Sequence, residues 1–354
     1  MSSCLDVGSG RAARDLEIGR ASHGGLRVEV ERGLAAVRNI DEAELHLWAS
    51  APSVSFRIDP GTTGGGGVFR VRIENVLADA MLAATSGVTE PLAVEVIASP
   101  HPTERTWQFQ LPAGEPVTLK LGAPDETLEK PWRFAVYADV QEAVESVQEL
   151  YAKMNETPDI RFALISGDLT RRGSPEELDT FQAMMKSLVF PCYATLGNHE
   201  LGTRDDLYHD YFGRGNYSFA FRSVQFTMLD SASATIDPLV YSQLDGWLDE
   251  GRDKLHVVTM HIAPIDPVGA RNGSFASRNE ATKLLTKLAA GGVDLTLYGH
   301  IHSYYAFENA GISAHISGGG GALPERMDGI GRHFLTVDVR PPGKIEQVGV
   351  IRVD

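Results

Sequence analysis

A chain of 354 residues with a formal charge of −15 at neutral pH has the length for two domains. It also lacks the basic runs that coat nucleic acid or grip an anionic membrane. Cys4 and Cys192 are its only cysteines, so neither a disulfide framework nor a thiolate zinc site can be built.

Residues 1–25 read as a flexible N-terminal tail without the apolar core of a signal peptide. From residue 26 to 122 apolar and polar residues alternate in short bursts: "LRVEVE", "SVSFRID", "VFRVRI", "LAVEVIA", "TWQFQL" and "PVTLKL". Turn formers separate them, and period-two runs at this spacing predict an antiparallel β-sandwich of immunoglobulin or fibronectin type. The glycines at 64–67 lack the following helix and the Gly-Lys-Ser/Thr of a phosphate cradle. They read as a hairpin tip. Residues 123–131, polar and ending in proline, read as a linker.

The rhythm then changes. Apolar strand candidates "RFAVYA", "IRFALIS" and "PCYATLG" alternate with helical-period segments "EAVESVQELYAKM" and "PEELDTFQAMMKSL". A hairpin-like pair ("YSFAF", "VQFTMLD"), two more helix–strand alternations and several short strands complete residues 132–354. Alternation of this kind predicts βαβ units around largely parallel sheets, an α/β layered sandwich behind an all-β domain. No apolar run approaches the roughly 20 residues that span a bilayer.

In open α/β sheets ligands gather at the carboxyl ends of the strands. Those positions hold Asp139 and Gln141, then Gly167-Asp168, then Gly197-Asn198-His199-Glu200, then His261, then Gly299-His300-Ile301-His302. Taken singly, Asp139 is as good a helix cap as a ligand, and a solitary His261 suits a structural hydrogen bond. Taken together, five strand ends that all finish in hard-oxygen or imidazole donors point to a metal site. Two divalent ions less the charges of Asp139 and Asp168 leave about +2, which suits a phosphate ester anion. Metals about 3.5–4 Å apart clamp phosphoryl oxygens while metal-bound hydroxide attacks in line. An imidazole beside them can protonate the leaving oxygen, the role His199 takes here.

This constellation closely resembles the calcineurin-like metallophosphoesterases over residues 132–354. Their pattern is Asp-x-His, Gly-Asp, Gly-Asn-His-Asp/Glu, a lone His, and Gly-His-x-His. The resemblance implies a dinuclear centre of Mn, Fe, Zn or Mg in which Asp168 bridges the two ions. Asp139, residue 141 and His302 would complete one site; Asn198, His261 and His300 would complete the other. His199 would lie just outside as the general acid, oriented by Glu200.

Two positions depart from the family pattern. Gln141 stands where histidine is expected, a neutral but harder donor that favours Mn²⁺ or Mg²⁺. It is read as a carbonyl-oxygen ligand or as the partner of a metal-held water. A degraded site is the remaining reading, set against seven intact positions. Arg171 stands where the similarly laid-out purple acid phosphatases carry tyrosine, which removes the phenolate ligand of ferric iron.

Arg171, Arg204 and Arg271, on loops expected around the centre, are candidates for gripping non-transferred phosphate oxygens. Two functions follow from this reading: a hydrolase of phosphate monoesters or diesters, and a catalytically silent binding protein with an adhesive or carbohydrate-binding sandwich. Gln141 alone favours the second. The front domain's likeness to exported relatives leads us to expect a periplasmic or secreted location, with the cytoplasm as the alternative.

Overall fold

The structure, a computed structural model, describes residues 9–62, 64–87, 90–202, 204–269 and 273–353. Its front half contains two facing β-sheets. One takes the strands Arg20–His23, Leu26–Val30, Val54–Asp59, Val117–Gly122, Met81–Ser86 and Glu90–Leu92 in that spatial order. The other takes Ala35–Ile40, Glu44–Ala49, Gly67–Glu74, Glu104–Leu111 and Glu95–Ile97.

Alternation fixes which side of each strand meets the core. Leu26, Val28 and Val30 are buried while Arg27 and Glu29 face out. Val117, Leu119 and Leu121 do the same. A one-residue slip would expose every one of these apolar side chains. One pair, Glu44–Ala49 with Gly67–Glu74, runs parallel rather than antiparallel.

Two expectations are corrected here. Gly64–Gly66 is not a hairpin tip, because the strands it joins, Val54–Asp59 and Gly67–Glu74, lie in different sheets. The segment crosses the sandwich and is held against the next turn by Gly66 N–H to Leu111 O and Gly114 N–H to Gly64 O.

Nor are residues 9–25 a flexible tail. Ser9–Asp15 is a helix and Arg20–His23 a strand. A seven-residue helix is not stable by itself in water; this one is held by its buried charges. Arg11 Nε lies 2.7 Å from Asp230 Oδ2, and the Asp15 carboxylate accepts from the N–H groups of Gly215 and Asn216. Those partners are some 200 positions away, beyond the reach of any local pattern. Residues 1–8 lie outside the described residues.

The C-terminal half is also built on two sheets. The first runs Cys192–Thr195, Ile160–Ser166, Trp132–Tyr137, His333–Arg340, Lys344–Arg352; its first three strands are parallel. The second runs Tyr217–Phe221, Val224–Leu229, Leu255–Met260, Leu295–Tyr298, Ile312–Ser317, Tyr304–Asn309, with a parallel centre. Phe134, Val136, Phe162 and Leu164 from one sheet share a core with Phe219, Phe226, Val257 and Leu295 from the other.

The opposite faces are covered by helices. Ala135, Tyr137, Ala163 and Ile165 pack with Leu150, Met154, Leu178 and Phe181 of the helices Gln148–Glu156 and Pro175–Met185. Val258 and Met260 pack with the helices Pro238–Gly251 and Arg278–Ala290. Burial on both faces explains why these strands read as continuous apolar runs. The resulting helix–sheet–sheet–helix sandwich brings the carboxyl ends of the parallel strands of both sheets to one rim. No helix among the described residues is long and apolar enough to cross a membrane.

Candidate metal centre

That rim gathers the seven donors read from the strand ends. Asp139 and Asp168 follow Trp132–Tyr137 and Ile160–Ser166, and Asn198 follows Cys192–Thr195; His261 and His300 follow strands of the second sheet. Carboxylate oxygens of Asp139 and Asp168 and a ring nitrogen of His261 lie within 4.8 Å of one another, all three residues buried.

The Asp168 carboxylate faces two groups at once. Its Oδ1 is 3.3 Å from His261 Nε2. Its Oδ2 is 2.7 Å from the Gln141 side-chain amide. On the first side, Asn198 Oδ1 sits 3.1 Å from His261 Nε2 and 3.0 Å from His300 Nδ1. On the second side, His302 Nε2 is 3.4 Å from Asp139 Oδ1 and 3.2 Å from the Gln141 amide.

The hydrogen bonds behind these side chains settle where their lone pairs point. His261 Nδ1 is 2.7 Å from Ser166 O, and His302 Nδ1 is 2.6 Å from Leu323 O. A carbonyl only accepts, so each Nδ1 donates and each neutral ring turns its Nε2 lone pair inward. There the His261 lone pair meets two further acceptors, the oxygens of Asp168 and Asn198. Asp139 Oδ1, buried and 3.4 Å from His302 Nε2, has no hydrogen-bond partner among the described residues. Acceptors converging on acceptors need a positive charge between them, a proton or a metal ion, and an imidazole whose far N–H is held by a carbonyl is the usual supporting arrangement around a bound metal. The donor set therefore fits divalent metal.

The electrostatics show the same demand for positive charge at this spot. Burial works against a charge on His261, but Asp168, Asp139 and the Ser166 carbonyl outweigh it and lift its pKa to about 9, so a proton on Nε2 and a metal ion compete for one place. Burial would likewise raise the Asp168 pKa; His261 and His199 reverse this and hold it well below the usual carboxylate range. Four donors pay a local cost for their position. Asp139, Gln141, Asp168 and His300 all have left-handed backbone, with φ of 62°, 46°, 55° and 71°. Each such residue costs on the order of 1–3 kcal/mol. Close approach also dictates Gly197, where a Cβ would fall 2.1 Å from Asp168 Oδ1.

His199 lies beside the cluster, its side chain about one-third exposed and its Nε2 3.8 Å from Asp168 Oδ2. The expected support from Glu200 is not what is found. His199 Nδ1 is 2.5 Å from the carbonyl of Arg171. Glu200 is buried and takes backbone N–H donors instead, from Asp168, Gly197 and Thr170, plus the Thr170 hydroxyl. Four donors in a turn consume a carboxylate's acceptor sites, leaving none for the ring. Burial, followed by the nearby Asp168 charge, raises the Glu200 pKa, with the Thr170 and Gly197 N–H groups opposing.

The arginines divide. Arg171 is exposed next to His199, whose ring its carbonyl holds. Arg204 is engaged elsewhere, with Asp206 at 3.0 Å and Asp210 at 3.6 Å. Arg271 lies outside the described residues. Sequence reading missed the three carbonyls that set the imidazoles, those of Ser166, Leu323 and Arg171. Main-chain acceptors leave no residue-type signature, so only the strand-end placement of Ser166, two before Asp168, hinted at one of them.

The calcineurin-like phosphoesterase family matches residues 133–304. No curated protein matches the chain. Among solved structures, a dimetal phosphatase from Danio rerio is similar at 15% identity, covering 63% of this chain and 99% of that one with a TM-score of 0.48. A phosphatase from Mycoplasma pneumoniae is similar at 14% identity, with 64% and 94% covered and a TM-score of 0.41. GAP50, the anchor in the inner membrane complex of Plasmodium, is similar at 14% identity, with 64% and 90% covered and a TM-score of 0.44. Residues 133–304, just under half of the chain, are thus similar to the calcineurin-like phosphoesterases.

Proposed function

We propose that this protein hydrolyses phosphate esters at a dinuclear metal centre. Asp139, Gln141 and His302 would hold one ion, and Asn198, His261 and His300 the other, with Asp168 shared. The observation that carries this reading is the set of opposed acceptors: the His261 lone pair turned on Asp168 and Asn198, and the orphaned Asp139 Oδ1. When bound, the two ions would supply the positive charge that polarises a phosphoryl group and an acidified water to attack it.

The chain's own residues do the rest. Because Nδ1 of His199 is committed to the Arg171 carbonyl, Nε2 is the end that exchanges a proton. It faces the centre and remains open to solvent. A protonated Nε2 can pass its proton to the departing ester oxygen, the general-acid step that matters most for poor leaving groups. Glu200 acts through the backbone, fixing the turns that aim Asp168 and Asn198. Arg171, exposed beside His199, is the arginine best situated to meet a non-transferred oxygen.

The test is hydrolysis of p-nitrophenyl phosphate and bis(p-nitrophenyl) phosphate with added Mn²⁺. Turnover of at least one ester, abolished by a chelator and restored by metal, is expected. Absence of turnover with both, together with no bound metal by elemental analysis, would favour the silent binding protein.

A further inference from the structure

A cavity lined by none of the metal donors lies at the seam where the front sandwich meets the loop after helix Leu207–Phe212. Its volume is about 400 Å³, and its walls include Arg20, Arg32, Arg57 and Arg214 together with Glu29 and Glu31. Four guanidinium groups around one cavity are out of character in a chain of net charge −15.

Two of the four are neutralised. Arg20 Nε lies 3.3 Å from Glu29, and Arg32 Nη2 lies 2.9 Å from Glu250. Glu29 sits in register between Arg20 and Arg57 across three strands, so one carboxylate stands between two cations. Neither Arg57 nor Arg214 has an ion pair among the described residues, and Glu31 has none either.

Arg214 is the anomaly. It is part-buried, its Nε has no hydrogen-bond partner among the described residues, and it belongs to the C-terminal half while the rest of the cavity belongs to the front sandwich. The backbone makes room for it. Gly33 has a left-handed φ of 63°, and a Cβ there would fall 2.1 Å from Arg214 Nε. Burial pushes the Arg214 pKa below the ordinary arginine value; Arg20 and Arg32 push the same way and Asp15 opposes. A partly desolvated guanidinium beside two like charges, with Asp15 as its one opposing charge, gains from a further anion.

We propose that this seam cavity is a binding site for a small phosphate-bearing anion, with Arg214 and Arg57 as its principal donors. Guanidinium forks match phosphate oxygens in pairs. Against Arg57 and Arg214 stands the one unpaired carboxylate of Glu31, and the four oxygens of inorganic phosphate can meet both guanidinium forks at once, where the two oxygens of a monocarboxylate fill only one. By tying Arg214 to Arg57 the ligand fastens the two halves of the molecule together, and a ligand that binds only the folded chain stabilises it by mass action.

Equilibrium dialysis of the full chain, loaded with Mn²⁺, against radiolabelled inorganic phosphate tests this site separately from the metal centre. The wild-type chain should bind two phosphates, and Asp168→Ala should keep the seam phosphate alone. Arg214→Met should lose the seam phosphate and keep the other. Arg57→Gln, a change on an exposed strand face that spares the core, should weaken the seam phosphate about tenfold. A wild-type chain and an Asp168→Ala variant that each bind one phosphate, lost in Arg214→Met, would support the seam and count against the metal centre. Three results would overturn the seam site: loss of all phosphate in Asp168→Ala, unchanged binding in both arginine variants, or saturation only above about 10 mM phosphate, the range of unspecific ion adsorption. Acetate in place of phosphate should compete poorly; equal competition would overturn the choice of phosphate.

Discussion

Glu200 Oε2 accepts the backbone N–H of Asp168 at 2.9 Å and that of Gly197 at the same distance. One buried carboxylate thus ties together the two turns that present Asp168 and Asn198, although their strands end 29 residues apart in sequence (Ser166 and Thr195). Its hydrogen bonds go to the backbone of the site and to Thr170, and none reaches the His199 ring.

That assignment separates two outcomes. Glu200→Gln turns an amide N–H₂ toward backbone N–H donors, and leaving such groups unsatisfied costs about 1–3 kcal/mol. Urea denaturation should show a loss of that size. Dependence of the rate on leaving-group pKa should stay as in the wild type. A variant of full stability but steeper leaving-group dependence would return Glu200 to the role of orienting His199.

Replacement of His199 should do the reverse. His199→Ala should retain metal and stability while turnover of an alkyl phosphate falls by about 10²–10⁴-fold. Turnover of a nitrophenyl ester, whose leaving group needs no proton, should fall much less. Full rate on the alkyl ester would exclude His199 as the acid.

Gln141 contacts both Asp168 Oδ2 and His302 Nε2 through its amide. Side-chain amide oxygen and nitrogen are interchangeable by rotation, so the carbonyl oxygen can take the same position toward a cation. Gln141→His supplies a softer, stronger donor there. Competition with a chelator should show tighter zinc retention in the variant, by about tenfold or more. Unchanged or weaker retention would mean that residue 141 is not a ligand.

Much of the site was legible because its donors occupy strand ends, and strand ends follow from hydrophobic periodicity. Asp139, Asp168, Asn198, His261, His300 and His302 could all be read that way. The partners of Glu200 could not, since backbone N–H groups are the same in every residue. Helix Ser9–Asp15 escaped for another reason: Arg11 and Asp15 find their partners through tertiary contact with Asp230 and residues 215–216. The parallel pairing of Glu44–Ala49 with Gly67–Glu74 was hidden likewise, because alternation marks a strand's faces but not its neighbour's direction. The seam cavity's arginines are spread over residues 20 to 214 and form no motif.

A pH prediction comes from His256, buried in Leu255–Met260 with its Nε2 2.8 Å from the Thr227 hydroxyl. Burial, with help from Lys254, lowers its pKa from 6.5 to about 4. The unfolded chain therefore takes up this proton first as pH falls. The stabilisation is complete above pH 6.5 and is lost between pH 6.5 and 4, at ~1.4 kcal/mol per pH unit, or about 3 kcal/mol in all. Denaturation of metal-depleted protein at pH 7 and pH 4.5 should show a steeper acid loss in the wild type than in His256→Gln. Equal losses would mean that His256 is already charged in the folded state.

The central claim is that Asp168 joins two cations in one pocket. Low-temperature electron paramagnetic resonance of the Mn²⁺-loaded chain, paired with elemental analysis, tests it most directly. Two ions per chain with an exchange-coupled spectrum, collapsing in Asp168→Ala to an uncoupled six-line signal or to metal-free protein, is the result expected. A wild-type chain holding no more than one uncoupled ion, or an Asp168→Ala variant that keeps the coupled pair, would contradict it.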